Sequence, residues 1–557
     1  MGVPLAFLSL ALLPGLTAAH DAGLITALGP QGVNLVRLNA QNARWKALAD
    51  ASYSAQDSLQ QAYTSQEPLN QAYEEFPAQW FEQPLDHFNN ETGDTFGQRY
   101  WVNKRHYVPG TNAPVIVLDG GETSGEDRLP FLDTGIVEIL TRATGGVGVV
   151  LEHRYYGETK PVQDLTTDSL RFLTNEQSAA DSANFMANVK FDGIDEDLTA
   201  PGTPWIYYGG SYAGARAAHM RVLYPDLVFG AIASSAVTHA DITNWQYMEV
   251  IRRSAPEACA RHLENSIQTI DAILSRDGFP ARALKALFGL ASLEHDDDFA
   301  SVLSSPLGYW QAKCWDPKFG STAFEEFCEV LEKAPAAHLD ALEYGDEERM
   351  VGVGEGLTLD FSVLNYAKYI RENVVSRCTD NTIEECFGSY DDSQYLATDL
   401  DQTWRLWLFQ VCTQWGYFTT APPDPAHPRI LSKLITLAHE SKICKQAFPP
   451  GKHFTVPSMP NVTAVNVLGD FDIRAERLAI IDGEVDPWRP DTPHSEDANE
   501  REDTISEPFK LIPNGVHHYD EYGYLNLADE PPEIQQIHGE MILFVTEWLK
   551  EWNATRT

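Results

Sequence analysis

The 557-residue chain holds 80 acidic against 40 basic residues, a net charge of −40, and such a surface repels a phosphate backbone, which excludes nucleic acid as a partner. Hydrophobic residues make up 43% and aromatics 11%, enough for a substantial core and for more than one domain. Beyond the N-terminus no stretch reaches the roughly 18 apolar residues of a membrane span.

The chain starts with "LAFLSLALLPGL" and then "TAA", the apolar run and small-residue end of a secretory signal peptide over residues 1–19, cut after Ala19. Residues 20–75, rich in Ala, Gln, Asn and Ser, read as a pro-segment or surface extension. From Phe76 the texture changes. "TFGQRYWVNKRHYV" alternates as a strand does, and "APVIVLDGGE" is a continuous apolar run ending in glycines, the mark of a strand buried on both faces. A helix is expected over 129–143. "GVGVVLEHRYYG" is a second buried strand. A helix then begins at Thr174, where Gln177 three residues on predicts a capping box. "PWIYYGG" is a third buried strand, residues 213–223 a helix and "FGAIASSA" a fourth strand. This alternation predicts a parallel sheet with helices on both faces. The rhythm breaks from 240 to 455, where the chain reads as helices and loops and holds all seven cysteines. In an oxidising compartment they imply up to three disulfides and one thiol left over. After that "ERLAIIDGEVDPW" and "PFKLIPNGVHHYD" are two more strands, and "IHGEMILFVTEWLKEW" is an amphipathic helix. The expected organisation is an α/β domain in two parts, 76–239 and 456–557, interrupted by a helical, disulfide-braced insertion at 240–455.

Three N-x-[ST] sequons, at Asn90, Asn461 and Asn553, fit a glycosylated secreted chain. No C-x-x-C or H-E-x-x-H occurs, so neither a metal nor a cofactor is expected. The acid excess also suits a chain that meets acid, because carboxylates lose their mutual repulsion as the pH nears about 4.

The chemistry concentrates at one corner. In "GGSYAG", Ser211 stands between the third buried strand and its helix, the place of a nucleophile elbow. The usual glycine two places after the serine is Ala213, which is also small. Such a serine needs a base, and the base an orienting carboxylate, in the chain order serine, acid, histidine. Asp486 lies just past one later strand, and His517 and His518 just past the next. Asp482, at the strand end itself, is the rival acid, and position alone does not separate the two histidines. The oxyanion donors are expected to be the N–H of Tyr212 and one from the loop at Gly121 or Glu122. Trp488, two residues past the acid, is placed to wall an apolar pocket. Glu152, His153 and Arg154 end a strand before the serine and read as a structural ion-pair network.

With these segments in place the chain resembles the serine peptidase family that includes prolyl carboxypeptidase, dipeptidyl peptidase II and the secreted fungal acid prolyl endoproteases. The shared strings are "GGE" at 120–122, "EHRYYG" at 152–157, "GGSYAG" at 209–214, "DGEVDPW" at 482–488 and "GVHH" at 515–518, and "LASLEHDDDFASVL" is similar to the fungal branch. The resemblance covers roughly residues 76 to 552. It implies an α/β-hydrolase fold with a helical cap, catalytic Ser211, Asp486 and His517, no cofactor, and cleavage of peptides after proline. Ala215 stands where relatives place a larger pocket residue, and the insert "TPHSEDANERED" looks particular to this chain. Secretion, or residence in an acidic vacuole or lysosome, is expected, with activity peaking between about pH 4 and 6 and falling on the acid side as His517 takes up a proton. A homodimer, a lipase or esterase, and an inactive binding homologue remain as alternatives.

Overall fold

The computed structural model describes residues 73–89 apart from 74, 93–333 apart from 277, 350–352, and 358–554 apart from 380. The signal peptide, nearly all of the 20–75 segment and Asn90 lie outside the described residues.

Eight strands form one sheet: β1 (Gln79–Pro84), β2 (Thr95–Asn103), β3 (Val115–Asp119), β4 (Val147–Leu151), β5 (Trp205–Gly210), β6 (Gly230–Ser234), β7 (Leu478–Gly483) and β8 (Phe509–Ile512), in the order β1-β2-β4-β3-β5-β6-β7-β8. From β4 to β8 all neighbours are parallel. The edge differs from the all-parallel expectation, since β2 runs antiparallel to both β1 and β4. β1 also escapes notice in the sequence, because "QWFEQP" is an edge strand with one residue fully buried, Gln83, and no apolar run.

The continuous apolar runs are explained by two cores. Val115 and Val117 face one side with Trp205, Tyr207, Ala217 and Met220, while Ile116 and Leu118 face the other with Ile206, Tyr208, Phe544 and Trp548. Period-two alternation therefore puts successive residues of one strand into different hydrophobic layers. The first layer is covered by helices α2 (Asn175–Asn188) and α3 (Tyr212–Leu223), the second by α1 (Ile136–Thr144) and α4 (Pro532–Ala554). The helix expected over 129–143 is two pieces, Leu129–Asp133 and Ile136–Thr144, broken at Gly135, where a side chain would strike the Glu521 carbonyl. Thr174 caps α2 by accepting the Gln177 N–H. The reciprocal half of the box is not made, because Gln177 instead binds the Asp86 carboxylate and the His87 N–H.

This topology, with a serine elbow after β5, is that of an α/β-hydrolase. After β6 the chain leaves the sheet for a run of helices and rejoins it at β7. Its first strand, Asp241–Thr243, runs parallel to Gly416–Phe418 from later in the excursion. Disulfides Cys259–Cys328, Cys378–Cys386 and Cys412–Cys444 brace the cap, and Cys314 takes part in none of them. Among the described residues no helix is long and apolar enough to cross a membrane. Asn461 and Asn553 are exposed.

Candidate active site

Ser211 caps α3 in a left-handed conformation, φ 61°, ψ −124°, with its hydroxyl making no capping hydrogen bond. Such a backbone is strained for a non-glycine residue and is maintained only by its surroundings. Its N–H is held by the Ser234 carbonyl at 2.9 Å, and its carbonyl takes the Ala215 N–H at 3.0 Å. A side chain on Gly209 would collide with the Ala213 carbonyl, and one on Gly214 with the Ser234 carbonyl. Position 213 is different. Ala213 Cβ lies 3.2 Å from where a Gly121 Cβ would sit, so a small side chain there presses the loop after β3 onto the start of α3.

Asp486 and His517 come together after β7 and β8. His517 Nδ1 stands 2.9 Å from Asp486 Oδ2 and 3.1 Å from Oδ1, and both residues are buried. Burial alone would raise the Asp486 carboxyl. The His517 ring, the Trp488 N–H and the Ser235 hydroxyl reverse that and hold it below the ordinary carboxylate value. The histidine left unresolved by sequence faces elsewhere: His518, at φ 37°, has its Nδ1 2.8 Å from Glu521 Oε2. The rival acid is also engaged, since Asp482 Oδ2 lies 2.6 Å from His494 Nδ1 in the acidic insert. The turn bearing His517 is packed on the elbow, because a side chain on Gly210, next to Ser211, would lie 3.4 Å from His518 Cβ and collide with the Glu521 carboxylate.

Beneath the elbow is a buried ion pair. Arg216 Nε donates to Asp119 Oδ2 at 2.7 Å, and Tyr207 OH donates to the same oxygen at 2.5 Å. The other oxygen of Asp119 accepts the Gly121 N–H at 2.9 Å. That N–H, one of the two loop donors expected from sequence, is therefore directed at Asp119. Glu122 lies beside it, with its own N–H bonded to its own carboxyl; burial pushes that carboxyl above its ordinary value, and one of its oxygens is buried without a partner among the described residues.

Trp488 stands edge-to-face against Tyr247 at 5.3 Å and Tyr417 at 5.2 Å, donates from Nε1 to Gln311 Oε1 at 2.8 Å, and lies 6.4 Å from the His517 ring. Ala215 is buried in the same apolar cluster. Sequence reasoning missed Tyr247, Gln311, Trp415 and Tyr417, all from the cap. No sequence pattern marks them; in the structure a π-helical turn, Val411–Trp415, leads into Gly416 and Tyr417, both at positive φ, and such turns often mark functional sites.

Glu152, His153 and Arg154 form the structural network. Glu152 accepts from Arg99, the Gly125 N–H and Thr159, Arg154 forks onto Asp181 at 2.5 and 2.8 Å, and His153 Nε2 meets the Tyr212 hydroxyl at 3.0 Å. Burial brings the His153 pKa down to about 3, which keeps it neutral. One group of metal-ligand type, Asp297, Asp298 and His439, lies in the cap among the described residues, where the Lys442 ammonium already supplies a cation 2.8 Å from His439 Nδ1.

Residues 83–537 match the family described as serine carboxypeptidase S28. A probable extracellular serine carboxypeptidase of Arthroderma benhamiae is 42% identical over 496 residues, covering 85% of this chain and 68% of its own. A serine protease of Bipolaris victoriae is 27% identical over 502 residues, covering 86% and 89%, and a thymus-specific serine protease of Mus musculus is 27% identical over 487 residues, covering 85% and 87%.

Proposed function

The chain belongs to the serine carboxypeptidase S28 family, and on that premise we propose that Ser211, His517 and Asp486 are the nucleophile, general base and orienting acid of a secreted peptidase that cuts after proline at acidic pH. The observation that carries the assignment is the buried His517–Asp486 pair in a turn packed against the Ser211 elbow. Ser211 Oγ attacks the scissile carbonyl as His517 Nε2 removes its proton. The tetrahedral oxyanion is received by the N–H of Tyr212 and by that of Glu122, which must turn from its own carboxyl to the oxyanion. His517 then protonates the leaving amine, and water repeats the cycle on the acyl-enzyme while Asp486 holds the Nδ1–H tautomer. The aromatic wall of Trp488, Tyr247 and Tyr417 supports the proline preference, since flat rings pack well on a rigid pyrrolidine. Secretion is supported by the leader sequence and by the extracellular relative.

Mass spectrometry of peptides that differ only in proline or alanine before the scissile bond tests this reading. We expect the proline peptide to be cut at least about 100-fold faster at pH 5. Equal rates within tenfold would remove the proline preference, and a p-nitrophenyl ester cleaved in place of both peptides would move the assignment to an esterase. Blocking each peptide end in turn reads out whether the cut is internal or terminal.

Acid operation has a counterpart in stability. Burial pushes Glu440 up to about 7, outweighing His439 and Lys442 beside it. It also pushes Asp520 up to about 6, against hydrogen bonds from Ser234 and Tyr208. A carboxyl raised on folding keeps its proton where the unfolded chain has lost it. Its contribution is complete below about pH 4 and is lost as the pH rises through about 6 and 7. Asp119 and Asp486 are held low by their partners despite burial, so their contribution is present above about pH 4 and lost as the pH falls through their depressed values. The two sets together centre stability on mildly acidic solution. We expect a Tm several degrees higher at pH 5 than at pH 8 by scanning calorimetry. Glu440→Gln narrows that gap, because Glu440 accounts for about 2–3 kcal/mol of it. A gap unchanged in Glu440→Gln would show that the proton on Glu440 plays no part.

A further inference from the structure

Ser234, which ends β6, and Ser235, which follows it, touch all three turns of the site. The Ser234 carbonyl holds the Ser211 N–H at 2.9 Å, and its hydroxyl donates to Asp520 Oδ1 at 2.5 Å, while Tyr208 OH binds Asp520 Oδ2 at 2.8 Å. Ser235 is fully buried, and its N–H is held by the Ile481 carbonyl of β7 at 2.7 Å. Its Oγ accepts the His518 N–H at 2.8 Å. The Ser235 hydroxyl is also among the groups that hold the Asp486 carboxyl low. Ser235 thus ties the end of β6 to the turn that carries the histidine, on the side where it influences the acid. The backbone there is left-handed, φ 45°, a conformation suited to glycine and strained for serine. A side chain at that position makes a hydrogen bond that glycine would forgo.

We propose that Ser235 is a positioning residue for peptide hydrolysis: through its hydroxyl it fixes the register of the His517 turn against Asp486 and completes the donor set around that carboxylate. The proposal rests on the reading of Ser211, Asp486 and His517 as the catalytic set. The groups facing Asp486 are His517, the Trp488 N–H, Ser235 and, by charge, the buried Asp491; those facing the far side of the Ser235 bridge are His518 and Glu521. Among them Ser235 is the one hydroxyl donor. Without it more negative charge stays on the carboxylate, which favours the imidazolium form of His517.

Ser235→Gly separates hydroxyl from fold, because it relieves the backbone strain while deleting the side chain. We expect its Tm to equal or exceed that of the wild type, its kcat to fall about 10–100-fold with KM within twofold, and the acid limb of its kcat/KM profile to move to higher pH. Ser235→Ala, which keeps Cβ and the strain, gives the same kinetic changes with a lower Tm, and it decides the matter if the glycine variant does not fold. Wild-type kcat and an unmoved acid limb in either variant overturn the proposal, as does a loss of activity that only tracks the folded fraction. Ser211→Ala run alongside keeps the two readings apart: activity surviving in that variant would refute the catalytic set, while its loss together with a wild-type-like Ser235→Gly would refute only the role given to Ser235.

Discussion

Replacement of Ser211 by alanine lowers kcat on a peptide substrate by about 10⁵–10⁶-fold and leaves KM within a few-fold. The size follows from the role. In the role proposed for it, the hydroxyl forms the bond to the acyl group, which alanine cannot do. The proposed binding contacts and oxyanion donors are left in place, so catalysis above the uncatalysed rate persists at a low level. The Tm moves little, because the Ser211 hydroxyl makes no capping bond and alanine inherits the same left-handed backbone. Steady-state kinetics beside scanning calorimetry measures both. A fluorophosphonate probe, which reacts with activated serines, labels the wild type and not the variant. Retention of more than about 1% of the activity would transfer the nucleophile to another residue.

Asp119→Ala is expected to be the most damaging single change to the fold near the site, at about 3–5 kcal/mol, because it leaves the Arg216 guanidinium buried without its carboxylate. It also frees the Gly121 N–H and the Tyr207 hydroxyl, both held by Asp119. The loop that carries Glu122 then loses its anchor against the elbow, so kcat falls as well. Asp119→Ala with Arg216→Met removes both charges and recovers much of the stability, since an absent pair costs far less than a broken one. Thermal unfolding of the wild type, the single and the double variant forms a cycle. A double variant no more stable than the single would show that the damage comes from lost packing instead of the stranded cation.

Much of this site is legible in the sequence, and what is not has physical causes. β3 to β7 announce themselves because strands buried on both faces are continuously apolar. Ser211 announces itself because a tight turn beside a helix start needs small neighbours, and Gly209 and Gly214 have no room for a side chain. Asp486 and His517 follow from chain order. The choice between Asp482 and Asp486 depends on His494, a residue of an insert whose path no pattern predicts. The choice between His517 and His518 depends on the local φ of His518 and on Glu521. β1 stays hidden because an edge strand without an apolar run has no distinctive pattern, and the aromatic wall stays hidden because Tyr247 and Tyr417 reach Trp488 only through the fold of the cap. The disulfide partners obey three-dimensional proximity, which spacing does not encode.

Those bridges bear on what a cut in the chain does to the cap. The 69-residue reach between Cys259 and Cys328 spans much of the first half of the cap. A single cut by a neighbouring enzyme anywhere within that reach leaves both fragments covalently tied, with the broken ends still folded against their partners. After such a cut the cap stays one covalent piece until a reductant opens the bridge.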